Sequence, residues 1–170
     1  MGQLSQNRIV NAFMSLFSAT DATDQDLVKT TLVRKQIKAR VHDAATAGTA
    51  WTESFVWRND TGGSVKVVSA YAVTPIAVTA NGSNYASFLA YQRTSAGASQ
   101  ATIATFATDT VTTDDMVAHA PKAMTLTDAN VVVPAGSVIT VAVTKTGTGV
   151  ALTAATSEAS VILVVEPVGS

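Results

Sequence analysis

Two histidines, a cluster of three aspartates, one short glycine motif, two glycosylation sequons and many serines are the residues of this 170-residue chain with chemistry to offer. His42 and His119 stand far apart, and neither has a motif around it. A zinc site needs clustered His, Cys or carboxylate ligands, and two isolated histidines do not provide one. No serine lies in the G-x-S-x-G turn that exposes a nucleophile above a strand. Asp21, Asp24 and Asp26 lack the D-x-D-x-D-G order and the later Glu of a calcium loop. They read instead as solvated acids and helix caps, with Thr23 and Asp26 forming a loose capping box ahead of Leu27 and Val28. Gly147-Thr148-Gly149 lacks the spacing and strand–helix context of a phosphate-binding loop and reads as a hairpin turn. Asn59-Asp60-Thr61 and Asn81-Gly82-Ser83 match the glycosylation sequon, but their composition is also ordinary turn chemistry. The absence of cysteine removes disulfides and thiolate ligands and leaves the redox compartment open. The expectation is a protein that is not an enzyme, with no catalytic residue, no metal and no cofactor.

Charge is the next signal. Charged residues make up 14% of the chain, against about 25% in typical domains. Surfaces poor in charge and rich in Ala, Thr and Ser suit packing against neighbours. The net charge of −1 is unevenly spread. Residues 1–93 carry nine Lys/Arg and six Asp/Glu, and residues 94–170 carry two and six. The basic excess centres on Lys29, Arg34, Lys35, Lys38 and Arg40. In residues 32–41 the polar Arg34, Gln36, Lys38 and Arg40 share one parity, while Val33, Ile37, Ala39 and Val41 share the other. That pattern predicts a strand with one basic face. It lacks the interleaved aromatics that stack on bases, so no nucleic acid partner is expected. A solvated or partner-facing edge fits better, because Lys on an edge strand also discourages unwanted pairing.

The elements that would carry these residues are short and β-patterned from residue 49 to 168. Runs at 50–58, 64–75, 85–93, 100–108, 122–127, 131–133, 137–145, 150–154 and 160–168 are separated by Gly, Asn, Asp and Pro turns. Alternation places Trp51, Phe55 and Trp57 on one face of the first run, and Val65, Val67, Tyr71 and Val73 on one face of the second. The run at 160–165 is apolar on both parities, which calls for cover on both faces. About nine strands in series describe an all-β protein, a jelly-roll or Ig-like β-sandwich. Trp51, Trp57, Tyr71, Tyr85 and Tyr91 would serve either its core or a sugar-binding face.

Ahead of this domain, residues 5–17 predict a short amphipathic helix. Ile9, Val10, Phe13, Leu16 and Phe17 form one apolar stripe, which needs a cover. The domain reading is therefore an N-terminal helix and basic arm or strand over 1–45, for attachment or oligomerisation, and a β-sandwich over 46–170; the alternative is that residues 32–41 complete the sandwich as an intrachain strand. The expected partner-binding residues are Ile9, Val10, Phe13, Leu16 and Phe17 together with Arg34, Lys35, Lys38 and Arg40. No run approaches the roughly 20 apolar residues of a membrane span, so no membrane partner is expected.

The order of elements carries a resemblance. A strand with Thr52-Glu53 leads into one containing Ser69-Ala70-Tyr71-Ala72-Val73. The turn Asn81-Gly82-Ser83-Asn84-Tyr85 enters a strand ending Tyr91-Gln92-Arg93. After Met124-Thr125-Leu126-Thr127, the stretch Val133-Pro134-Ala135-Gly136-Ser137-Val138-Ile139 opens a strand that ends at Thr146-Gly147-Thr148-Gly149-Val150. Over residues 49–168 this resembles the β-sandwich capsid decoration and head-fibre-type structural proteins of tailed bacteriophages. The resemblance implies a virion structural protein, assembled in the host cytoplasm, that stabilises the phage head. Its partners would be the major capsid protein or other virion subunits, commonly as a homotrimer, and no catalytic residue carries over. The alternative is the head domain of a tail fibre or adhesin that binds host surface glycans.

Overall fold

Turn chemistry divides the chain. In the computed structural model, which describes residues 34–40, 53–147 and 159–168, every regular element but one is a β-strand. The strands in chain order are β1 (Lys35–Arg40), β2 (Ser54–Arg58), β3 (Val65–Val73), β4 (Tyr85–Arg93), β5 (Gln100–Ala107), β6 (Lys122–Ala123), β7 (Thr125–Leu126), β8 (Val132–Val133), β9 (Val138–Thr146) and β10 (Ser160–Pro167). The exception is a single 3-10 turn at Asp128–Asn130. Between β8 and β9, Ser137 N–H donates to the Pro134 carbonyl at 3.1 Å, with Gly136 at φ 79°. That is the positive φ a type II turn requires. After β9, Gly147 also has positive φ, and a Cβ there would overlap the Asn84 side chain and the Ser83 carbonyl.

Among the described residues two five-stranded sheets form, and the pairings among β2 to β10 are antiparallel. Sheet A runs β1-β10-β3-β6, with β8 also paired to β3; sheet B runs β2-β9-β4-β5-β7. One buried cluster draws on both sheets, including Val67, Val161 and Leu163 from A and Phe88, Ile103 and Val141 from B. The arrangement is consistent with a β-sandwich. The chain falls into two compact units, Met1–Lys35 and Gln36–Ser170. The predicted helix at 5–17 and the strand at 150–154 lie outside the described residues. The basic strand predicted at 32–41 is present as β1, a strand of sheet A.

Three bulges overturn the simple parity readings. Across from β9, Phe55 pairs with Thr140 and Trp57 with Ile139, so Val56 is an extra residue. Phe55 therefore does not share a face with Trp57: it is 67% exposed, while Trp57 packs on the core. In β3, Val164 pairs with Ser69 and Val165 with Val67, leaving Val68 extra. Val65 and Val67 stay inside, but Ala70 and Ala72 replace Tyr71 and Val73 as the buried set. In β5 the extra residue is Ile103, fully buried beside Ala104. A bulge inserts one residue and so reverses the alternation beyond it. The run at 122–127 also differs from expectation. It splits at buried Met124 into β6, which joins sheet A, and β7, which joins sheet B.

Candidate interaction surfaces

Strand β1 ends the path of sheet A. Its alternation resolves the local question: Ile37 and Ala39 are buried in the core cluster, while Lys35, Lys38 and Arg40 are exposed, as is Arg34 just before the strand. Apolar burial fixes the strand, and the same period of two turns Lys38 and Arg40 outward. The structure thus brings four of the sequence-predicted partner residues together on one edge. The other five, Ile9, Val10, Phe13, Leu16 and Phe17, lie outside the described residues.

The outer face of sheet B is of another kind. Paired residues share a face, so the register Thr125–Thr105–Leu89–Ala142 forms one row and Thr102–Tyr91–Thr140–Phe55 the next. Ala107–Ser87–Thr144 forms a third. Small and hydroxyl side chains dominate. Tyr91, Thr140 and Ala142 are buried although they belong to the face opposite the core cluster.

One polar cluster crosses this face, and no motif in the chain announces it. The Glu53 carboxylate accepts both arms of the Arg93 guanidinium, the Thr140 hydroxyl and, at 3.3 Å, the Gln100 amide. Arg93 also donates to the Gly97 carbonyl at 3.2 Å. A forked Arg–carboxylate pair is among the stronger ion-pair geometries. The hydrogen bond from Arg93 holds the Glu53 carboxyl below its ordinary value of 4.5, against a smaller opposing effect of burial. Glu53 in turn raises Arg93. Burial, with the Glu53 charge second, raises the Tyr91 hydroxyl. Partners 40 and 87 residues apart leave no local pattern to read.

The sign of the Glu53 shift sets a pH dependence. A depressed folded-state value means that stability is present above the unfolded carboxylate value and is lost as pH falls through the folded one. Glu53→Gln is expected to lower stability at neutral pH by about 1 kcal/mol, given the partial exposure of the pair. It should also remove part of the acid sensitivity below about pH 4.5. Urea titrations of both proteins across that range check this, and identical pH profiles would sink it.

The remaining chemistry-bearing residues are dispersed. His119 lies on an exposed loop; its backbone N–H donates to the Thr74 carbonyl at 2.8 Å, and its imidazole has no hydrogen-bond partner among the described residues. His42 lies outside the described residues. Among the described residues no three His, Cys, Asp or Glu side chains converge as metal ligands. The Asn59 sequon is not accessible: the side chain is 1% exposed, and both its N–H groups are used within the fold. The Asn81 side chain is exposed and accepts from the backbone N–H groups of Ser83 and Asn84, each at 2.9 Å. Trp51 lies outside the described residues, and the described aromatics do not form one platform. Trp57 packs on the core, Tyr91 is buried, Tyr71 faces out of sheet A, and Tyr85 begins β4 in sheet B.

The sequence matches no family model and no curated protein. The functional reading therefore rests on these surfaces.

Proposed function

We propose that this chain is a non-enzymatic structural subunit of a virion, a jelly-roll-type block that sits on the head of a tailed phage and reinforces it, with three copies favoured. The observation that carries the reading is the outer face of sheet B. Its rows, mostly Thr, Ser and Ala around Leu89, Tyr91 and the exposed Phe55, carry little charge beyond the mutually neutralised Glu53–Arg93 pair. Such a face loses little solvation when covered and allows close approach of a neighbouring subunit. The resemblance of residues 49–168 to phage head-decorating proteins points the same way. Attachment to the shell is assigned to the stripe Ile9, Val10, Phe13, Leu16 and Phe17, whose apolar area would supply the affinity. The apolar parity of β1 is already spent on its own core.

Two measurements test this reading. Antibody-labelled particles should carry the label over the head; label confined to the tail, with reproducible hits on a glycan array, would establish the fibre or adhesin alternative instead. In the full chain, Ile9→Asp with Phe13→Asp should weaken binding to heads at least about tenfold, because each charge opposes burial of the stripe. Unchanged binding by that variant would refute the assignment of attachment.

A further inference from the structure

The loop at 109–121 is held in a costly conformation. Thr112 and His119 have φ of 68° and 61°. Positive φ is unfavourable for side-chain-bearing residues, and most of all for a β-branched one, so surrounding contacts must impose it. Those contacts are present. Met116 is 2% exposed and exchanges two 2.9 Å backbone hydrogen bonds with Val78. The Asp115 carboxylate accepts Ala80 N–H at 2.7 Å. The Lys122 ammonium donates to the Thr113 carbonyl at 2.7 Å and lies 5.5 Å from the Phe106 ring centroid. What this fixed loop presents is apolar and acidic. Val111 and Val117 are 58% and 67% exposed, with Ile76 at 44% on the segment that the loop pairs with. Asp109 is exposed and Asp114 half-exposed, and neither has an ion-pair partner among the described residues; the Asp114 carboxylate accepts Thr110 N–H at 3.2 Å.

The opposite character appears on the outer face of sheet A. Lys38 and Arg40 project from β1 without an ion-pair partner among the described residues. On the neighbouring strand β10, Ile162 and Val164 are half-buried on the side opposite the core, followed on the same parity by Glu166, which is cross-strand from Lys66. One surface is apolar with acids and the other is apolar with bases, in keeping with the charge division between the two parts of the sequence.

We infer that loop 109–121 of one copy docks on the β1–β10 face of a second copy. The two surfaces differ, so the contact is head to tail and either closes into a ring or extends. The inference rests on reading the chain as an oligomeric building block, but it concerns contact between copies, not contact with a shell. Val111, Val117, Ile162 and Val164 would supply apolar burial. Asp109 and Asp114 against Lys38 and Arg40 would set register and exclude other registers.

A charge exchange in the full chain tests this, read by sedimentation velocity across a concentration series. The wild type should self-associate, and less so as salt is raised. K38E/R40E and D109K/D114K should each weaken association by at least about tenfold, through like charges facing each other. One chain carrying all four changes should recover it to within about threefold, because every pair is restored with reversed sign. All four sites are on the surface, and unchanged far-UV spectra of the variants confirm folding. A monomeric wild type, or four-fold variants as weak as the pairs, would overturn the inference. So would K38E/R40E that still self-associates but no longer binds heads, since β1 would then face the shell. Head binding through Ile9 and Phe13 is measured separately, so either reading can fail alone.

Discussion

Asn59→Asp is expected to cost about 3–5 kcal/mol at neutral pH, a large part of the stability of a domain this size. The Asn59 side chain ties two turns together. Its amide donates to the Gly63 carbonyl at 2.8 Å and to the Val133 carbonyl at 2.9 Å. Its oxygen accepts the Thr61 hydroxyl at 2.7 Å and the Thr61 N–H at 3.2 Å. Aspartate keeps the shape but turns both donors into an acceptor facing carbonyl oxygens, with a charge at a buried site. The remedy is protonation, so the folded-state value of the new carboxyl must rise above its unfolded value. The deficit is then full at neutral pH and shrinks as pH falls through that raised value. Asn59→Ala, which leaves carbonyls unsatisfied without adding charge, should cost about 2 kcal/mol. Urea unfolding of the three proteins at neutral and mildly acidic pH provides the comparison. An aspartate variant within about 1 kcal/mol of wild type at neutral pH would show that the turn tie is dispensable.

The second large effect is expected at Phe88. Its side chain is fully buried, and its ring stacks on Phe106 with centroids 6.2 Å apart and planes 25° from parallel. Phe88→Ala should cost about 3–5 kcal/mol, from lost burial and the cavity left behind. Phe88→Leu should cost under about 1.5 kcal/mol, since it keeps most of the volume. The alanine variant should also loosen loop 109–121, because Phe106 lies beneath the Lys122 ammonium that holds the Thr113 carbonyl. Hydrogen exchange would register this as faster exchange at Met116, whose N–H bonds to Val78. Protection unchanged there, beside a normal loss of global stability, would separate the loop from the core.

Where local chemistry decides an element, the sequence reading holds. Strand β4 runs from Tyr85 to Arg93 as its flanking turns mark it, and β1 follows from the alternation of Ile37 and Ala39 with Lys38 and Arg40. The failures share one cause. Val56, Val68 and Ile103 are bulge residues, and β-branched side chains mark a bulged position no differently from a regular one. Each reverses the parity beyond it, which is why Phe55, Tyr71 and Val73 were expected on the wrong face. The split around Met124 is of the same kind, because alternation says which side chains are buried but not which sheet they join. Of the surfaces argued here, the basic edge was legible as composition. The Glu53–Arg93 cluster and the strained loop were not, since both depend on pairings between distant segments.

The first described strand lies beside the last: β1 pairs with β10. During synthesis, Ile37 and Ala39 must therefore wait for residues some 120 positions downstream before they can be covered. The β4–β5 hairpin, joined by a short turn, needs no such delay. Sheet B can assemble its centre once β9 has emerged, whereas sheet A remains open until β10 leaves the ribosome. Long-range closure of this sort slows folding and prolongs the exposure of unpaired strands. The basic side chains of β1 then have an earlier task than any in the finished protein: keeping an unpartnered strand soluble and apart from other nascent chains.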